Sequence, residues 1–205
     1  MSKKPIIVFE GIEGTGKSYH INKVASFLKK KNKKFVLLRE PGGSKNSEKI
    51  RKLLLNNKSS FNKYTDLLLY LAARSENIEI IKKNYRKKII LIDRFSDSTI
   101  AYQHYGMGVN LKFIKEINNH LTKGINIEFT FLNIVNQKNM RERLLKRKIL
   151  NRYDKFNSFF YEKVQNGFIK ILKKNPKKYM KINSNLNIDD NEEIILEKVN
   201  DLISL

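Results

Sequence analysis

Residues 11–18, Gly-Ile-Glu-Gly-Thr-Gly-Lys-Ser, leave this chain few ways to fold. They fit G-x-x-x-x-G-K-[ST] at Gly11, Gly16, Lys17 and Ser18. The apolar run Ile6-Ile7-Val8-Phe9-Glu10 precedes them, and Ile21, Val24, Ala25 and Leu28 follow at i, i+3, i+4 and i+7, the stripe of an amphipathic helix. A strand that turns through three glycines into a helix is committed to a strand–loop–helix unit. The backbone N–H groups of such a loop close around a phosphate, and the helix N-terminus adds about half an elementary positive charge. In this pattern the lysine bridges terminal phosphates and the hydroxyl next to it ligates Mg2+. Gly11, Ile12, Glu13, Gly14, Thr15, Gly16, Lys17 and Ser18 are therefore candidate nucleotide-phosphate residues.

The rest of the chain repeats the strand–helix alternation. Continuous β-branched and aromatic runs at 6–10, 35–40, 88–94, 129–135 and 179–183 read as strands buried on both faces. Helical patterns fill 62–84, 111–121, 137–148, 155–174 and 190–203. Alternation of this kind predicts an α/β fold with a parallel sheet between helices, where ligands gather at the carboxyl ends of the strands. With 205 residues, no internal repeat and no low-complexity linker, one domain spanning 1–205 is expected.

A net charge of +22 raises the question of nucleic acid. The lysines, however, are scattered in runs such as 29–34, 82–88 and 173–178, which read as solvated faces set by coding bias. Such charge draws in nucleotides without choosing among them, and no nucleic-acid or membrane partner is expected. The absence of cysteine excludes disulfide and thiol chemistry. No run is apolar for long enough to span a bilayer, and the first eleven residues lack a signal-peptide core, so a cytoplasmic protein is expected.

Two acids flank the phosphate loop. Glu10 ends the strand, where it could simply accept from backbone amides. Glu13, at the loop tip, would repel a phosphate at close range and makes better sense as an acceptor for a hydroxyl of a second substrate. Asp93 and Arg94 end the third run. The aspartate is placed to hold Mg2+ through water and the arginine to grip phosphate, unless the two form a structural ion pair. Arg39-Glu40 before Pro41-Gly42-Gly43 reads by itself as a turn with an exposed charge pair. Tyr70 and Arg74, four apart on one helix, could sandwich a base, although such a pair is more often a surface stack.

Taken together, "FEGIEGTGKS" (9–18), "REPGG" (39–43), "LAAR" (71–74) and "DRFSDSTIAYQ" (93–103), in this order and spacing, resemble the thymidylate kinase family. The likeness extends to "FYEKVQNGF" (160–168). It implies a three-layer α/β/α P-loop NTPase fold with a five-stranded parallel sheet, and transfer of the γ-phosphate of ATP to dTMP with Mg2+. It implies that Arg39, Glu40 and Arg94 surround the dTMP phosphate and the metal, with Asp93 near the transferring group, and that Arg51 lies near the acceptor nucleotide. Tyr70 stands where the family usually stacks a phenylalanine on thymine. Arg74 reaches a thymine carbonyl, Thr99 and Gln103 lie near the base, Tyr102 lies against the sugar, and Glu13 approaches the 3′-OH. The bacterial-type members supply catalytic arginines from a lid, here about 141–156, where Arg147 and Arg152 match and Arg143 could stack on adenine. Arg143 and Arg147, four apart, are expected on one helical face and Met140 and Leu144 on another. Homodimers are common in the family, and the 62–84 and 111–121 helices could form the contact. Met107, where the family usually has arginine, and "NIEF" (126–129), in place of the usual Pro-Asp pair, depart from the pattern. The rivals are a kinase for another nucleotide or a deoxynucleoside, a basic P-loop ATPase acting on nucleic acid, and a non-catalytic nucleotide-binding protein.

Overall fold

In a computed structural model, residues 4–147 and 149–204 are described. Position 148, within the expected lid, and the extreme termini lie outside the described residues. Five strands, β1 (Ile6–Glu10), β2 (Phe35–Arg39), β3 (Ile89–Asp93), β4 (Phe129–Ile134) and β5 (Tyr179–Asn183), form one sheet in the order β2-β3-β1-β4-β5. Every pairing is parallel. The three inner strands are buried almost throughout, which explains their unbroken apolar runs. The edge strands β2 and β5 are only half buried, with Leu37 42% exposed, so the expectation of burial on both faces fails at the margins.

Alternation along β1 divides the core. Ile7 and Phe9 face α1 (Lys17–Lys30) and α8 (Ile188–Ser204), where Ile21, Val24, Leu28, Ile195 and Val199 pack. Ile6 and Val8 face the opposite layer, with Ile78 and Ile81 of α3 (Lys63–Asn84). The result is the three-layer α/β/α arrangement expected.

Two helices were not legible beforehand. Helix α2 (Lys45–Leu55) starts at Ser44, whose side chain accepts from Ser47 N. Helix α4 (Ser96–Thr99) runs straight into a π-helical stretch, Ile100–Gly106, whose wider turn brings Ala101, Tyr102 and Gln103 all inward. Beyond α5 (Leu111–Leu121), helix α6 stops at Leu145 (Gln137–Leu145), short of the expected 148. Helix α7 (Ser158–Lys174) begins where Asn157 caps it. It lies tight against the π-helical stretch: a Cβ on Gly167 would sit 2.5 Å from the Tyr105 ring. Ile12, Tyr102, Leu144, Tyr153, Phe160 and Val164 then form a separate cluster over the carboxyl ends of the strands. Among the described residues no helix is long and apolar enough to cross a membrane.

Candidate active site

The loop after β1 owes its shape to close approach. Gly11 has φ +135°, and a Cβ there would lie 2.2 Å from the Asn133 carbonyl oxygen of β4. Gly16 begins α1 in a left-handed conformation without a side-chain cap, which leaves the first-turn N–H groups for an anion. Lys17 folds back, donating from Nζ to Ile12 O at 2.7 Å and to Thr15 Oγ1 at 3.2 Å. Burial, then the nearby Arg94 charge, pushes its ammonium down to about 7. Ser18 Oγ donates to Asp93 Oδ2 at 2.9 Å, joining a hydroxyl and a carboxylate at the foot of the loop.

That pair fits Mg2+. Both groups are hard oxygen donors, and Mg2+ takes few protein ligands, completing its shell with water and substrate phosphates. Among the described residues no group of three or more His, Cys, Asp or Glu side chains is arranged to hold a metal ion.

The two acids beside the loop divide their work. Glu10 is buried and accepts from Phe95 N (2.8 Å) and Ser98 N (3.2 Å), capping the start of α4. Burial and the neighbouring Asp97 carboxylate raise its pKa to about 8. Glu13 faces the cleft and is claimed by Arg94 Nη2 (2.8 Å) and by the Tyr102 hydroxyl. Burial works to raise its pKa, but Arg94 and Lys17 outweigh it and hold it below the usual range. The Asp93–Arg94 ion pair left open above does not form: Asp93 takes Ser18, while Arg94 takes Glu13 and Gly11 O (2.8 Å). Arg94 reaches both from a backbone with φ +67° and lies over the Tyr102 ring at 5.1 Å.

A cleft of about 200 Å³ opens at the carboxyl ends of β1, β2 and β3. Glu13, Lys17, Ser18 and Asp93 from the phosphate-loop region line it. So do Arg39, Glu40, Arg51, Tyr70, Arg74, Thr99, Tyr102 and Gln103, with Arg94 and Tyr102 both bonded to Glu13. Three expectations change here. Arg39 and Glu40 are not an exposed pair: Arg39 forks onto Glu48 (3.0 and 2.9 Å), and Glu40, 5% exposed, pairs with Arg74 at 2.6 Å. Arg74 is no surface stack either, being 1% exposed, bonded to Asn118 and set over Phe95. Because α6 ends at Leu145, Arg143 and Arg147 do not share a helical face.

The three lid arginines go to different places. Arg143 donates to Gly14 O (2.9 Å) and Ser184 O (2.7 Å), tying α6 to the phosphate loop. Arg147 lines the cleft, paired with Asp154 at 2.7 Å. Arg152 is not among the lining residues and pairs instead with buried Asp66. Arg51 donates to Pro41 O at 2.6 Å. The Tyr70 phenol, pushed up by burial, finds the Tyr153 hydroxyl as its partner. Asp66, Tyr153 and Asn118 were missed from the sequence. Asp66 alone had a signal, standing four residues before Tyr70 on the same helical face as Arg74.

A parallel sheet between helix layers, a glycine loop, a hydroxyl–carboxylate pair at its foot and one polar cleft opening beside it define the P-loop phosphotransferase class. The family model for thymidylate kinase matches residues 9–195. A thymidylate kinase of Thermosipho africanus is 41% identical over 82% of this chain and 84% of its own. One from Mycoplasma capricolum is 35% identical over 94% and 95%. The solved thymidylate kinase of Ehrlichia chaffeensis superposes with a TM-score of 0.78 at 30% identity, covering 97% of this chain and 99% of that one. The chain belongs to the thymidylate kinase family.

Proposed function

We propose that this chain transfers the γ-phosphate of Mg-ATP to the phosphate of dTMP, giving ADP and dTDP. One observation carries the reading: a single cleft joins the phosphate loop to a second set of cationic and base-sized groups, with Arg94 bonded to Glu13 of the loop. An oxygen of the acceptor phosphate attacks the γ-phosphorus in line, and the bond to the bridging oxygen of ADP breaks, its electron pair leaving with ADP. The attacking oxygen already carries negative charge, so no general base is needed, and catalysis rests on positioning and charge neutralisation.

The loop from Gly11 to Ser18 cradles the ATP phosphates, and Lys17 spans the terminal ones. A triphosphate returns the proton that burial has loosened from its ammonium. Ser18 Oγ and, through water, Asp93 would hold Mg2+, which would supply positive charge to offset that of the nucleotide phosphates. Arg94, Arg39 and Arg51 hold the acceptor phosphate. Tyr70 stacks on the base, while Arg74, Thr99 and Gln103 read its edge. Tyr102 and Glu13, already hydrogen-bonded to each other, meet the deoxyribose. Arg147 reaches the transferring group as the lid of a single domain, about 141–156, closes, an effect worth roughly 10³-fold or more by analogy with arginine fingers. Arg143 braces the loop from its distal side. Arg152 is read as a positioning residue, because Asp66 already holds it.

A homodimer is proposed through α3 and α5, where Tyr64, Leu68 and Phe113 are exposed and Tyr64 meets Phe113 edge-on. A cytoplasmic setting agrees with a chain that has no cysteine to oxidise. The deciding assay follows ADP release from ATP with and without dTMP, then with dUMP, dCMP, AMP and thymidine. Release stimulated by dTMP above the others is expected. ATP binding without turnover of any pyrimidine monophosphate refutes the proposal.

A further inference from the structure

Asp66, in the first turn of α3, is 1% exposed and receives three donors from distant parts of the chain. The Tyr153 hydroxyl and the Arg152 guanidinium reach it from the lid, and Gln103 Nε2 donates at 3.4 Å from the π-helical stretch. Gln103 and Tyr153 line the cleft, whereas Asp66 stands behind them.

A carboxylate ion-paired to arginine can only accept hydrogen bonds, whereas a glutamine amide has a donor end and an acceptor end. Asp66 can therefore face only the NH2 end of Gln103. The amide is oriented from behind, and its Oε1 is the end left for the cleft. Arg74, two turns along the same helical face, offers donors only. An acceptor beside donors complements a pyrimidine that carries N3–H next to a 4-oxo group. It opposes cytosine, whose N3 accepts and whose 4-amino group donates.

We propose that Asp66 is a positioning residue that determines specificity: by fixing the Gln103 amide it selects a 4-oxo pyrimidine over a 4-amino one. By holding Arg152 and Tyr153 as well, it couples that selection to the lid. The inference rests on the reading that a pyrimidine monophosphate occupies this cleft.

Asp66→Asn places an amide behind Gln103, and its NH2 can meet Gln103 Oε1, so the glutamine is free to turn over. The readout is kcat/KM for dTMP and dCMP at saturating ATP. The dTMP-to-dCMP ratio should fall at least about tenfold, with the KM for ATP kept within about twofold. Equal losses on both nucleotides, with the ratio unchanged, would make Asp66 merely structural and overturn the proposal. If the unaltered protein shows no preference for dTMP, the reading of the cleft falls as well; a preference kept with an unchanged D66N ratio sinks only the role of Asp66. Should D66N not fold, hydrogen exchange of the Gln103 side-chain amide in the unaltered protein decides by NMR. Protected NH2 protons are expected, and exchange as fast as in free glutamine overturns the proposal.

Discussion

Arg74→Ala isolates what the buried ion pair contributes. Arg74 and Glu40 are 1% and 5% exposed, with Arg74 Nη2 at 2.6 Å and Nε at 2.8 Å from Glu40 Oε2. Burial raises the Glu40 carboxyl above its ordinary range, and Arg74 is the largest influence pulling it back. Without the guanidinium a carboxylate stays in the interior uncompensated, which costs about 3–5 kcal/mol. For a chain of this size that is a fall in Tm of roughly 6–20 °C. The pH dependence has a definite sign. A carboxyl whose folded pKa lies above its unfolded value of 4.5 contributes stability that is complete below that value and is lost as pH climbs through the folded one. Losing Arg74 lifts the folded value further, so the deficit of R74A should be larger at pH 8 than at pH 5.5. Adding Glu40→Gln removes the stranded charge and should recover about 2 kcal/mol or more of the loss. Urea denaturation of the wild type, both single variants and the double variant, at the two pH values, completes the cycle. A loss in R74A below about 1 kcal/mol, or a Glu40→Gln change that merely adds to it, would refute the reasoning.

Three further outcomes are expected. Lys17→Ala should lower kcat by about 10³-fold or more while leaving Tm within a few degrees, checked by ADP release and thermal melting. Gly11→Ala places a methyl 2.2 Å from the Asn133 carbonyl oxygen, so it should destabilise the fold by about 3 kcal/mol or more and abolish ATP binding, read by denaturation and calorimetry. Glu10, raised to about 8, and Asp97, also raised, both favour the folded state at low pH, so wild-type stability should decline from pH 5 to 7. Glu10→Gln should flatten that decline, and an unchanged slope counts against Glu10 as its source.

The inner strands were legible because burial on both faces forces an unbroken apolar run, and the phosphate loop because Gly11 answers to a steric demand at Asn133 while Gly14 and Gly16 take positive φ. Helix α2 escaped detection because it buries only Ser47 and Leu54, too few for a stripe. The π-helical stretch escaped because it turns three consecutive residues inward, a spacing foreign to both helix and strand periods. At the site, the residue types of the cleft were visible but their partners were not. Nothing local in "REPGG" links Glu40 to Arg74, and nothing near Arg152 points to Asp66, 86 residues away. Burial of Arg74 could not be inferred from a Tyr-x-x-x-Arg spacing that a surface stack shares.

The register of β1 bears on how the chain is made. Its Ile6 pairs with Ile90 and its Ile7 with Phe129, so β1 gains its second neighbour only once residues more than a hundred positions later have been made. Until β4 exists, β1 has at most β3 beside it and keeps one edge open to pairing with other chains. A strand near the middle of the sheet is thus enclosed late, and its waiting edge is the part of the fold most open to mispairing in the interval.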